Sequence, residues 1–286
     1  MADGVAEGFS IGVLAARTGV TPGVLRTWEN RFGFPRGERS TSGHRRFTDA
    51  DVALVRQVLE VRDSGLPLQV AIDSVVRAQE ADEERSAFAA AAEAVAGVRP
   101  LRLHRRALIA ASHAVEDECL ARGDRAVVLG AFQLGHRYAS SRHRWEELGR
   151  TAAWSAVVAD FDLDADLDAD LDADLAASPV RCQLPGDSPL RREWAVVCLG
   201  ETYAALVAAW EVPSAQGPPT YEAIISTHRG AATAAGRVIA GAARAAGGDV
   251  PPAAARLLDA AAPLPATSAV DADRTWLRAL AELDPR

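Results

Sequence analysis

Near the start of the chain, apolar residues recur at helical spacing. In "FSIGVLAARTGV", Ser10 is a good N-cap and Ile11, Leu14 and Ala15 follow on one face, with Gly19 as the stop. Thr21 and Pro22 open a second short helix, "GVLRTWENRF", with proline at the position where a missing N–H costs nothing. Two short helices around a tight turn predict a helix-turn-helix. The next stretch, "GFPRGERSTSGHRRFT", is rich in Gly, Pro, Ser and Arg, lies between Phe34 and Phe47, and reads as a β-hairpin wing. Thr48 then caps a third helix with Val52, Val55 and Leu59 at core spacing, and Pro67 leads into a fourth, "LPLQVAIDSVVRAQE".

Beyond residue 80 the pattern changes. Residues 81–100 are Ala- and Glu-rich, end in "GVRP", and predict a helical linker. "LRLHRRALIAASHAVEDECLARG" reads as one long helix and "RYASSRHRWEELGRTAA" as an amphipathic one. Short β-branched runs, "RAVVLGAFQ", "WSAVVADF", "REWAVVCLG", "AALVAAWEV" and "YEAIISTH", read as strands, and "RGAATAAGRVIAGAARAAG" as another helix. The expected organisation is an N-terminal all-α winged helix-turn-helix at 9–80, the linker at 81–100, and a C-terminal mixed α/β domain at 101–247. A Pro/Ala-rich segment with a C-terminal helix follows at 248–286.

Charge sharpens this division. The chain sums to −8, yet Arg17 to Phe47 holds seven Arg against two Glu. Every basic residue is Arg; there is no Lys, which fits the base composition behind so Ala-rich a chain. Guanidinium groups offer charge and planar donors to phosphates and guanine edges, so the patch points to duplex DNA. The acidic opening "MADGVAEG" lacks the apolar centre of a signal peptide, and no run of about 20 apolar residues predicts a membrane span. Cys119, Cys182 and Cys198 follow no C-x-x-C spacing, which points to a reducing cytoplasm and against a zinc site. The six His form no ligand cluster by spacing, and no metal site is expected. No nucleophile elbow, P-loop, H-E-x-x-H or G-x-G-x-x-G after a strand is present, so no enzyme is expected.

The blocks "IGVLAARTGV", "LRTWENRFGF", "SGHRRFTDADV" and "GLPLQVAI" together resemble the MerR family of winged-helix transcription regulators over roughly residues 9–80. "WENRFGFP" with "GHRRF" is most similar to the subgroup joined to signal-sensing domains. The resemblance implies a homodimer that lays its second helix in the major groove of a promoter operator. It further implies distortion of the promoter spacer, so that RNA polymerase engages both elements. Arg26 is expected in the groove, Arg17 and Thr21 at the helix starts beside the backbone, and Arg31, His44, Arg45 and Arg46 on phosphates or in the minor groove. Trp28 reads either as an indole donor to phosphate or as a brace in the core. Arg36 and Arg39 read as a solvated wing tip. Gly23 stands where many relatives carry a base-reading side chain.

"ASHAVEDECLARGDRAVVLGAFQ", "RYASSRHRWEELGRTAAWSAVVADF" and "REWAVVCLGETYAALVAAWE" resemble the DICT sensory domain over roughly 101–245. The resemblance names no ligand or cofactor; the signal is an unknown small molecule or, alternatively, a signalling protein docking on this domain. His113, Glu116, Asp117, Phe132, Gln133, Arg144 and Trp145 are the candidate pocket residues. The competing reading of His113 and Glu116 is a local pair on a helix face, and that of the tryptophans Trp145, Trp154, Trp194 and Trp210 is core. "DFDLDADLDADLDADL", with eight Asp, lacks the Gly and Glu in register that a calcium loop needs. It reads as a repetitive surface loop, with mimicry of the DNA backbone as a further idea.

Overall fold

The computed structural model describes residues 8–39, 45–47, 49–84, 86–95, 97–161, 178–212 and 219–284. The chain divides into two compact units, Met1–Ala81 with Asp249–Ala255, and Asp82–Gly248 with Arg256–Arg286.

In the N-terminal unit, helix α1 (Ile11–Thr18) is followed by α2 (Pro22–Phe32), a hairpin of β1 (Glu38–Arg39) and β2 (Arg45–Arg46), then α3 (Asp49–Asp63) and α4 (Leu68–Glu84). Thr21 caps α2, its hydroxyl accepting the Val24 N–H at 3.4 Å, and α1 and α2 both stop at a left-handed glycine. The apolar faces converge in one core containing Leu14, Leu25, Trp28, Phe34, Phe47, Val55 and Ile72. The hairpin strands pair antiparallel. Phe9 and Phe47 exchange two backbone hydrogen bonds of 2.9 Å, fixing the end of the hairpin to the start of the chain. Gly37 is required there, because a Cβ would lie 2.6 Å from the Phe47 ring.

The C-terminal unit is a three-layer sandwich. Its seven-stranded sheet has the order β3-β9-β8-β7-β4-β5-β6. The strands are β3 (Leu101–His104), β4 (Val127–Leu134), β5 (Trp154–Asp160), β6 (Val180–Gln183), β7 (Glu193–Leu199), β8 (Ala204–Val212) and β9 (Thr220–Ser226). β4, β5 and β6 run parallel; the remaining pairs are antiparallel. Helix α6 (Arg105–Arg122) covers one face, packing Leu108, Val115 and Cys119 onto Val128, Val196, Cys198 and Val207. Helix α9 (Arg229–Ala245) covers the other, where Gly236 lies against Val197 and Leu199. Strands buried on both faces read as continuous apolar runs, and the central strands do.

The expected long helix from residue 101 is divided: Leu101–His104 pairs with β9 as an edge strand and α6 begins only at Arg105. The amphipathic segment that follows β4 is likewise two helices, α7 (Gly135–Ala139) and α8 (Arg142–Thr151). Within 81–100, helix α5 (Ala87–Ala94) packs on α9, with Ala87, Ala90 and Ala91 buried. These small side chains let the two helices approach closely. The C-terminal helices are α10 (Pro252–Leu258) and α11 (Ala269–Leu283). α11 lies on α6, where the buried Glu118 carboxylate accepts from Arg274 at 2.9 Å and Arg278 at 3.2 Å. Among the described residues, no helix is long and apolar enough to cross a membrane.

Candidate functional sites

The first site is the cationic surface of the N-terminal unit. Leu25 and Trp28 turn inward on α2, which leaves Arg26 and Arg31 exposed on its outer side. Arg17, expected at a helix start, instead lies exposed in the last turn of α1, its guanidinium 4.5 Å from the centre of the Phe9 ring. Thr21 is exposed at the α2 N-terminus. Arg46 is half-buried. Arg45 pairs with Glu29 of α2 at 2.6 Å and donates to the Arg36 carbonyl at 2.9 Å, so it braces the hairpin against the helix. Trp28 is 3% exposed and stacks on Phe34 at 6.5 Å, the core alternative of its two readings. His44 lies outside the described residues, as does most of the Asp repeat.

The second site lies at the carboxyl end of β4, beside the N-terminal end of β7. The crevice outside the carboxyl ends of parallel strands is where open α/β sheets bind ligands. A cavity of about 230 Å³ there is lined by Arg105, Ile109, Ser112, His113 and Glu116 of α6, Phe132 of β4, Arg137, Ser140 and Ser141 after it, and Trp194 and Val196 of β7. Its wall is aromatic. Phe132 meets Tyr138 edge-on at 5.5 Å and Trp145 at 5.3 Å. Gly130 makes this possible: a Cβ there would sit 2.5 Å from the Trp145 ring. The Trp194 indole N–H donates to Ser112 Oγ at 2.9 Å.

Of the seven expected pocket residues, His113, Glu116 and Phe132 line this cavity together, and Gln133 lines a second one beside it. Trp145 is fully buried behind Phe132. Arg144 clamps α8 to α6, reaching Glu116, Asp117 and the His113 carbonyl, so Arg144 and Asp117 hold the wall instead of facing the cavity. Burial pushes the Glu116 carboxyl above its ordinary value of 4.5, with the Arg144 and His113 charges opposing. His113 Nδ1 contacts Glu282 of α11 at 2.5 Å, linking the cavity wall to the C-terminal helix. Sequence reasoning missed Arg105 and Arg137 and favoured core for Trp194. Arg137 sits in a segment whose amphipathic pattern reads as an ordinary surface helix, and Trp194 reads as strand core.

A neighbouring buried acid serves the fold. Glu193, 0% exposed, accepts the Phe88 N–H at 3.1 Å at the start of α5, and burial raises its pKa. Among the described residues, no group of three or more His, Cys, Asp or Glu is placed to hold a metal ion.

Comparison with known proteins divides along the same line. Residues 9–75 match the MerR HTH family regulatory protein model, and residues 86–212 match DICT, described as a sensory domain in diguanylate cyclases and two-component systems. The chain is 32% identical over 76 residues to the HTH-type transcriptional regulator MlrA of Salmonella typhimurium, covering 27% of this chain and 30% of that protein. It is 33% identical over 63 residues to the HTH-type transcriptional repressor CarH of Myxococcus xanthus, covering 22% and 21%. It is 38% identical over 60 residues to the HTH-type transcriptional activator TipA of Streptomyces coelicolor, covering 21% and 24%. The chain thus spans less than a third of the length of these relatives.

Proposed function

We propose that this chain, which carries a MerR-type helix-turn-helix domain followed by a DICT sensory domain, is a sequence-specific transcription regulator whose C-terminal unit binds a small-molecule signal. The observation that carries the reading is the surface of α2. Its buried Leu25 and Trp28 fix the helix orientation, and its exposed Arg26 and Arg31 present guanidinium donors outward. Arg26 reads base edges. Arg17, Thr21, Arg31 and Arg46 hold the backbone, and the β1–β2 hairpin acts as the wing, with Arg45 setting its position on α2. The protein acts as a homodimer in the cytoplasm on a near-palindromic promoter site, with RNA polymerase as the downstream partner.

The C-terminal unit supplies the control. A ligand shifts regulation only as far as it binds two arrangements differently. The His113–Glu282 contact gives the cavity a route to α11 through one side chain.

The test is selection from a library of random duplex DNA with full-length protein. An enriched inverted repeat, protected from cleavage at both half-sites, is the expected result. A pool that stays random after repeated rounds rejects the reading.

A further inference from the structure

Beside the aromatic cavity lies a second one, of about 350 Å³, lined by Gln133, Leu134, Arg137, Arg191, Arg192 and Glu211. Arg137 lines both. Three features set this place apart. Gln133 is the one non-glycine residue among those described with a positive φ, 59°, at the point where the β4–β5 register shifts between Ala131 and Leu134. Such a conformation costs free energy and persists where the surroundings hold it, commonly at ligand sites. Gln133 is also 3% exposed; its Nε2 donates to Glu211 at 3.2 Å, while its buried Oε1 has no partner. Finally, Arg137 Nη1 is buried without a partner, and its Nη2 lies only within 3.9 Å of Glu211. Buried polar groups are ordinarily satisfied, so an orphan acceptor and an orphan donor on two residues lining one cavity call for a molecule that supplies both complements.

The charges define that molecule. Arg191 is paired with the buried Asp160, and Arg192 lies 4.5 Å above the Trp210 ring. Three guanidiniums facing Glu211 and Asp160 leave a positive excess. We propose that this is the anion-binding end of the sensory pocket. It takes a small molecule bearing an oxyanion, held by Arg137, next to a hydroxyl or amino group that donates to Gln133 Oε1. The apolar ring of the same molecule lies against Phe132 and Trp194 in the adjoining cavity. This inference rests on the reading of the C-terminal unit as a small-molecule sensor and narrows it to one ligand class.

The test titrates full-length protein with 2-hydroxybenzoate, phenyl phosphate, inorganic phosphate and neutral benzyl alcohol, followed by tryptophan fluorescence and thermal shift. At least one ring-bearing anion binds. Preference between the carboxylate and the phosphate identifies the head group, and inorganic phosphate alone binds more weakly. Arg137→Gln lowers that affinity about 10- to 100-fold, as expected for loss of a charge-assisted hydrogen bond. Gln133→Gly removes the amide and the left-handed penalty together, so thermal stability rises while affinity for 2-hydroxybenzoate falls; a purely structural glutamine would not divide these two readouts. Benzyl alcohol binding as tightly as the anions, or anion binding indifferent to Arg137→Gln, overturns the anion site and leaves the sensor intact. No binding by any probe at millimolar concentration overturns both, while DNA selection by the same preparation still reports on the N-terminal unit separately.

Discussion

Two sets of arginines, one in each unit, are used in opposite ways. In the N-terminal unit Arg26 and Arg31 stand exposed on a helix whose other face forms the core. In the C-terminal unit Arg144, Arg122 and Arg229 are instead drawn onto carboxylates and carbonyls. Arg144 holds Glu116 and Asp117, Arg122 reaches Asp271 at 2.9 Å, and Arg229 donates to the carbonyls of Gly200 at 2.9 Å and Pro265 at 2.6 Å. An exposed guanidinium adds little to stability and is available to an external polyanion. One half-buried against a carboxylate is part of the fold, and removing it strands the acid. Arginine count alone therefore predicts neither role; the burial of the neighbouring face does.

The largest effect that tests this contrast is on stability. Arg144→Met leaves Glu116 buried without its counter-charge and should cost about 3–5 kcal/mol in denaturant unfolding. Arg26→Met should stay within about 0.5 kcal/mol. Equal losses would erase the distinction. Next comes recognition: Arg26→Ala should cost about 1–3 kcal/mol on the selected operator and relax preference at one base pair, read by competition binding. A loss that is the same on every sequence would move Arg26 to the backbone.

Acid chemistry sharpens the comparison from the buried side. Glu193 has a raised folded-state pKa, so the folded protein holds its proton more tightly than the unfolded chain. Its contribution is fullest below the ordinary value of 4.5 and is lost as pH rises through the folded value. Glu193→Gln carries no such loss. The variant should gain on the parent as pH rises above 4.5, measured by unfolding across pH. A constant difference would show that the acid titrates alike in both states. The smallest effect is electrostatic: Arg46→Ala should reduce the slope of log affinity against log salt by about 1 on specific and random DNA alike. Arg45→Ala will mix this with loosening of the hairpin, and Glu29→Gln isolates that second part.

The N-terminal unit was legible because its signals are local. Ser10, Gly19, Thr21 and Pro22 mark helix ends within a few residues of what they control, and the observed helices begin and end there. The central strands were legible from their apolar runs. What escaped depends on distant partners. Leu101–His104 continues directly into a helix and becomes a strand only because β9 offers an edge. Ala87–Ala94 looks like a weak linker until α9 supplies a close-packed face. The same holds for the cavity at the end of β4: His113, Glu116 and Phe132 were expected in one place and do line it, whereas Arg137 and Trp194 join them only through the β4–β7 pairing and the turn after β4.

The measurement that tests the account most directly is equilibrium binding of the full-length protein to the selected duplex and to a scrambled duplex of equal length, at fixed salt, with Arg26→Ala alongside. The account predicts a preference of about 10³ or more for the selected duplex, with most of the variant's loss on that duplex. Equal affinity for the two duplexes, with parent and variant alike, would contradict it and reduce the arginine face to a non-specific polyanion surface.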